Sequence, residues 1–198
     1  MFSEQVINDI VAQLVDNGYI VYENILPMTL SNSLLKRIQS IDNTQFNPAK
    51  IGRNNDQHQN SDIRNDSTLW LEGKDEAEAH YLEYMESLKQ AMNRQLYMGL
   101  DSYECHFSHY KQGAFYQKHY DAFKGKSNRL LTTVFYLNNA HSDGDGGELI
   151  IYDDNDNIIQ EVEPKIGTMV IFLSEKFPHE VLKTNKNRYA IAGWFKQR

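Results

Sequence analysis

The sequence predicts a mainly β fold with N-terminal helices: a double-stranded β-helix (a jelly roll, cupin-like) of about eight strands, with helices packed on one face. Three observations carry this. From residue 100 onward the chain breaks into short apolar runs separated by Gly, Asn, Asp or Pro, the rhythm of a sandwich or barrel. Helical periodicity is confined to the first half, so the helices pack together rather than alternate with strands. The chain is 40% hydrophobic and 24% charged, enough apolar surface for a sizeable globular core.

The elements follow in order. Val6, Ile10 and Leu14 recur at helical spacing within residues 3–17, and Gly18 is a C-terminal stop. "YIVYEN" (19–24) reads as a short strand, and "TLSNSLLKRIQSI" (29–41) as a second helix after Pro27. Residues 42–67 are polar, rich in Asn and Asp and weakly periodic, as expected of a loop that is either functional or disordered. "TLWLEG" is a short apolar element. A long helix follows, with Tyr81, Leu82, Met85, Leu88, Met92 and Leu96 as its core-facing stripe. Eight strand-like runs then appear: "YECHFSHYKQ", "AFYQKHYD", "RLLTTVFYLN", "GGELIIYD", "NIIQEVEP", "GTMVIFLSE", "HEVLKT" and "RYAIAGWF".

Bulk properties exclude several classes. The net charge of −7 and the lack of a basic run argue against a bulk nucleic-acid binder. No apolar run reaches membrane-spanning length, so no membrane partner is expected. The acidic, amphipathic N-terminus is unlike a signal peptide and is expected to stay in the mature protein. A single cysteine, Cys105, suits a reducing, cytoplasmic setting.

One stretch, "YQKHYDAFKG", sets His119 and Asp121 two positions apart. On an extended segment, side chains at i and i+2 share a face and converge. The pair reads either as ordinary solvated polar groups or as two ligands of one metal. His179, at the start of a late strand, offers a third ligand. Two imidazoles and a carboxylate can occupy one face of an octahedron, leaving three positions open, as in non-haem Fe(II) oxygenases; a closed structural zinc site would need a fourth ligand. Arg188, at the start of the next strand, can fork onto a carboxylate or simply be a surface strand arginine. Tyr136 shares a strand face with Thr132 and Val134 and can add a phenolic hydrogen bond or be a core aromatic.

Together with these residues, the ordered motifs "HYKQGAFYQKHYD", "VFYLN", "GGELIIY", "VEPKIGTMVIF", "PHEV" and "NRYAIAGWF", preceded by "IRNDSTLWLEGKD", make the chain resemble the Fe(II)- and 2-oxoglutarate-dependent prolyl 4-hydroxylases. The branch is that of the oxygen-sensing (hypoxia-inducible-factor type) prolyl hydroxylases and their bacterial relatives. The resemblance spans roughly residues 50–198; the first 45 carry no motif. It implies His119, Asp121 and His179 as metal ligands and catalytic centre, Arg188 and Tyr136 as grips on the 2-oxoglutarate C5 carboxylate, Tyr110 as a wall of that pocket, and Arg129 and Trp194 near the substrate. It also implies Fe(II), with 2-oxoglutarate and O2 as cosubstrates and ascorbate as a further ligand. The partner would be a protein or peptide presenting a proline, a translation-machinery protein among the options. The chain would then be one catalytic domain: helical support over 1–98 with a mobile loop at 46–68, and the jelly-roll core over 99–198. Ala192 departs from relatives that carry a hydroxyl residue four positions after the key arginine.

Rival readings have distinguishing marks. Nucleic-acid demethylases of this fold place a second arginine six residues after the first, where this chain has Trp194. A non-catalytic binding module would be expected to have lost one of the five central site residues. His58, His80, His106, His109 and His141 lack partners at ligand spacing and are expected at the surface or locally hydrogen-bonded. Asp143 and Asp145, set among glycines, read as a tight turn rather than a calcium loop. Cys105 is expected to be buried.

Overall fold

The computed structural model of the chain describes residues 1–49, 60–122, 127–139 and 141–198. Helix α1 (Glu4–Asp16) starts at Ser3, whose hydroxyl accepts from the Val6 amide. It ends at Gly18, whose φ of +82° lets its amide reach back to the Gln13 and Leu14 carbonyls. Helix α2 (Met28–Ser40) follows Pro27. Helix α3 (Glu76–Leu96) is capped by the Asp75 carboxylate. It ends where the Asn93 side-chain amide bonds both the amide and the carbonyl of Leu100.

Eleven strands are described: β1 (Tyr19–Tyr22), β2 (Asn47–Pro48), β3 (Ser67–Trp70), β4 (Ser102–Tyr110), β5 (Tyr116–His119), β6 (Arg129–Tyr136), β7 (Leu149–Tyr152), β8 (Ile158–Val162), β9 (Met169–Leu173), β10 (His179–Val181) and β11 (Arg188–Lys196). They form an antiparallel seven-stranded sheet, ordered β1-β9-β6-β11-β4-β3-β2, and a four-stranded sheet, ordered β5-β10-β7-β8. All eight expected strands are present. Beyond these eight, β1, β2 and β3 are recruited from the N-terminal half to extend the larger sheet on both edges. The polar stretch 42–67 contains a 3-10 turn (Asn43–Gln45) and β2; residues 50–59 of the expected loop lie outside the described residues.

The larger sheet is buried on both faces, and period two divides its side chains between two cores. On β6, Leu131 and Phe135 pack towards the helices, and on β9 so do Met169 and Ile171; Tyr136, Val170 and Phe172 pack towards the smaller sheet. This explains why "VFYL" and "MVIFL" read as near-continuous apolar runs. The helix layer is closed by Tyr81, Met85, Leu88 and Met92 of α3, all fully buried, at the spacing of one helix face.

One residue between the helices and the larger sheet has no tolerance. Tyr103 lies across β11 so that its hydroxyl meets Tyr81 Oη at 3.1 Å and Thr133 Oγ1 at 2.8 Å. It passes over Gly193, where a Cβ would collide with the Tyr103 hydroxyl and stand 2.8 Å from Cys105 Cβ. Gly193→Ala is therefore expected to lower the unfolding free energy by about 1–3 kcal/mol, as overpacking in a filled core does. Denaturant unfolding of the two proteins side by side measures it, and equal midpoints would remove this reading of the site.

Candidate active site

Antiparallel pairing of β10 with β5 places His179 directly opposite His119. Their rings lie 4.3 Å apart. Asp121 completes the group, with Oδ1 3.7 Å from His119 Nε2 and Oδ2 3.5 Å from His179 Nε2. One ligand atom from each residue falls within 4.8 Å of the others, so the three could hold a metal ion. One detail differs from the sequence expectation. Strand β5 stops at His119, and Asp121 lies in the bend that follows. The two side chains converge because the chain turns, not because a continuous strand presents both.

Each imidazole is oriented by its own backbone. His119 Nδ1 lies 2.8 Å from the Gln117 carbonyl and His179 Nδ1 lies 3.1 Å from the Phe177 carbonyl. A carbonyl can only accept, so both rings carry the proton on Nδ1 and turn the Nε2 lone pair towards the shared point. Burial, then the neighbouring His179, pushes the His119 pKa down to about 3. Burial pushes the Asp121 carboxyl up, but His179 and His119, helped by the Thr132 hydroxyl, outweigh it and hold it at about 2. At neutral pH, His119 is thus neutral and Asp121 ionised, the protonation states a divalent metal requires of its ligands.

Arg188 opens β11 opposite Tyr110 of β4 and is 3% exposed. Its Nε donates to the Gly147 carbonyl at 2.7 Å, and its guanidinium lies over the Tyr110 and Tyr136 rings at 4.8 and 5.1 Å. Its Nη2 is buried without a hydrogen-bond partner, and so is the Tyr136 hydroxyl. Two buried donors, one of them charged, are costly to leave unpaired. They therefore define a place for an anionic acceptor such as a carboxylate. Between Arg188 and Trp194, the same face of β11 carries only the small side chains of Ala190 and Ala192. A metal with an oxo-acid fits this donor set.

The remaining expected residues are accounted for. Arg129 lies over the Trp194 ring at 3.8 Å, but its charge is taken up by Glu104, which also holds Lys196. His80 is exposed, and His109 is bonded to Asn187 beside an open polar cleft that Lys111 also lines. His141 faces Glu148, and Asp145 caps a turn through Ser142. Cys105 is buried, and His58 lies outside the described residues. His106 is buried between Trp70 and Trp194, bonded to Ser108 Oγ and close to the Phe107 carbonyl.

Sequence reading missed a support under His119. Its ring stacks on Tyr116 with centroids 3.5 Å apart. The Arg64 guanidinium lies over the Tyr116 ring at 4.4 Å and donates two hydrogen bonds to the buried Asp66 carboxylate. The available signal was the Arg-x-Asp pair inside a polar loop.

Comparisons agree with this geometry. Residues 105–196 match the 2OG-Fe(II) oxygenase superfamily. The chain is 27% identical to a Caenorhabditis elegans hypoxia-inducible factor prolyl hydroxylase over 94% of its length, and 30% identical to human Egl nine homolog 1 over 68%. It spans only 27% and 33% of those two relatives. A Pseudomonas putida prolyl-4-hydroxylase superposes with a TM-score of 0.88 at 34% identity, covering 97% of this chain and 99% of that one. A Trichoplax adhaerens prolyl hydroxylase, solved with a hypoxia-inducible factor peptide fragment, superposes at 0.87 with 25% identity, over 98% of this chain and 90% of that one. The chain belongs to the 2OG-Fe(II) oxygenase superfamily, whose name states its iron and its 2-oxoglutarate. Among the described residues no helix is long and apolar enough to cross a membrane.

Buried His106 makes one testable statement about pH. Burial holds its pKa down to about 4 against an ordinary 6.5. Between those values the unfolded chain binds a proton that the folded chain excludes, so stability falls as pH drops through the window. His106→Gln removes that share. From about pH 7 to about pH 4 the variant is expected to lose less unfolding free energy than the parent, by on the order of 2 kcal/mol. Parallel slopes for the two proteins would contradict it.

Proposed function

We propose that the protein is an Fe(II)- and 2-oxoglutarate-dependent dioxygenase that hydroxylates a prolyl residue in a protein or peptide. The observation that carries this is the pairing, inside one core, of a two-His, one-carboxylate group with two unpartnered buried donors, Arg188 Nη2 and Tyr136 Oη. His119, Asp121 and His179 would hold the metal on one side, leaving the opposite side open. Arg188 would take the C5 carboxylate of 2-oxoglutarate, and Tyr136 would donate to the same group. Tyr110 would wall that pocket, and Ala190 and Ala192 would floor it.

When bound, the iron with 2-oxoglutarate and O2 supplies an oxidative decarboxylation to succinate and CO2, coupled to hydroxylation of substrate carbon. The protein's own part is to bind, orient and exclude water. Phe172, Val170 and Ile151 keep the space between the sheets dry. Neither an acid nor a nucleophile from the chain is needed. Trp194 and Arg129 would line the mouth through which a peptide reaches the site. The Trichoplax structure with its bound peptide fragment supports a peptide substrate, and we extend this to a prolyl segment of a folded protein, with translation proteins the first to be screened. Residues 1–98 would act as the buttress of one catalytic unit completed by 99–198.

The test is succinate formation by anaerobically Fe(II)-loaded protein, with and without proline-containing peptides. Turnover should rise with a prolyl substrate and vanish in His119→Ala. Iron and 2-oxoglutarate binding without succinate under any substrate would overturn the enzyme in favour of a binding module. In addition, Arg188→Gln is expected to raise the KM for 2-oxoglutarate by about 30-fold or more, since losing one partner of a buried charge pair costs about 2–5 kcal/mol. An unchanged KM would place the cosubstrate elsewhere.

A further inference from the structure

Of the three candidate ligands, Asp121 alone lies outside a strand. His119 and His179 each lie at the end of a strand and are each tied to a carbonyl two residues back. Asp121 lies past the end of β5. Its Oδ2 instead accepts a 2.8 Å hydrogen bond from Thr132 Oγ1. Thr132 is in the middle of β6, paired on one side with Trp194 of β11 and on the other with Phe172 of β9. Thr132 Oγ1 also lies 3.0 Å from Ser174 Oγ, and the Ser174 amide is fixed by the Leu130 carbonyl. Both hydroxyls are buried, at 1% and 0% exposure.

The direction of this relay follows from donor counting. An ionised carboxylate can only accept, so Thr132 spends its one proton on Asp121. The Thr132 oxygen can then only accept from Ser174, which must be the donor. Two hydroxyls in series polarise each other and strengthen the bond to the carboxylate.

Oδ1 and Oδ2 face different imidazoles, at 3.7 and 3.5 Å, so a freely rotating Asp121 could offer both oxygens to one ion. We propose that Thr132, backed by Ser174, is a positioning residue that holds Asp121 to ligation through one oxygen. With Oδ2 held by Thr132, Oδ1 would be the ligand. Three of six octahedral positions then stay open, as an oxo-acid and dioxygen together require; two-oxygen ligation would close one of them. The inference rests on the metal site proposed above and is separable from it.

The test uses Mn(II), whose free-ion electron paramagnetic resonance signal disappears on binding, followed by calorimetric titration of 2-oxoglutarate into the Mn-saturated protein. Thr132→Val keeps the shape and removes the hydroxyl; Thr132→Ser keeps the hydroxyl. Thr132→Val is expected to weaken Mn(II) by about 10–100-fold, the usual scale for losing a partner behind a ligand, and to weaken 2-oxoglutarate on the Mn-saturated protein as well. Thr132→Ser should restore both. Parent values for either quantity in Thr132→Val overturn the proposal. Circular dichroism reports folding; should the valine variant fail to fold, Ser174→Ala takes its place, with an intermediate loss of Mn(II) affinity supporting the relay and an unchanged affinity overturning it. Failure of the metal site itself is distinguishable, because the parent protein would then bind no Mn(II), or bind it equally well in His119→Ala.

Discussion

The site depends first on the register between β5 and β10. Because His179 pairs with His119 across the smaller sheet, two residues from distant parts of the chain are fixed by backbone hydrogen bonds before any side chain is considered. A slip of one residue would turn His179 to the other face, and the group would be lost. The short length of β10, His179–Val181, is compensated by its position between β5 and β7, with partners on both edges. Phe172 of the facing sheet closes on the His179 ring edge-on at 4.8 Å, so the register is held from above as well as from the sides.

Arg188 follows a different logic. A guanidinium at this depth is costly to desolvate, and hydrogen bonds and aromatic faces offset only part of that cost. The Gly146-Gly147 turn exists to bring a carbonyl to it. A Cβ at Gly147 would stand 2.9 Å from Arg188 Cδ, and one at Gly146 would collide with the Lys183 carbonyl. Both glycines have positive φ. The turn can approach the arginine because neither residue has a side chain. The protein thus supplies one acceptor to Arg188 and leaves Nη2 without one, and a ligand carboxylate that fills this deficit stabilises the folded state by mass action.

Much of this was legible in the sequence. Strand rhythm gave the number and order of the eight C-terminal strands, because each is bounded by turn-forming residues. The spacing of His119 and Asp121, with His179 opening a late strand, picked out three residues that the fold brings within 4.8 Å of one another. Three features were not legible. Sheet edges are set by tertiary pairing, so nothing in "YIVY" or "TLW" said that β1 and β3 would join the larger sheet. His106 was expected at the surface or in a local hydrogen bond; it is bonded to Ser108, but it is also buried, because this part of β4 is covered on both faces. The relay from Ser174 through Thr132 to Asp121 joins residues far apart in sequence, and Ser and Thr in a strand carry no signature of what they will face.

The two sheets divide the work, and this ties function to stability. The smaller sheet brings the histidines; the larger sheet brings Thr132, Tyr136 and Arg188 on the face that opposes them. Neither sheet contains a site alone. They are held together by Leu149, Ile151, Val170, Phe172, Phe177 and Val181, each of which contributes about 1.5–3 kcal/mol when fully buried. The same apolar layer that closes the sandwich also excludes water from the donors it surrounds. Loosening it by one large-to-small substitution would shift the imidazoles relative to the carboxylate-binding end before the chain unfolds, since a site of this kind tolerates displacements of only about 0.5 Å. The core between the sheets is therefore part of the site's geometry, and its packing sets the distance between the three candidate metal ligands and Arg188.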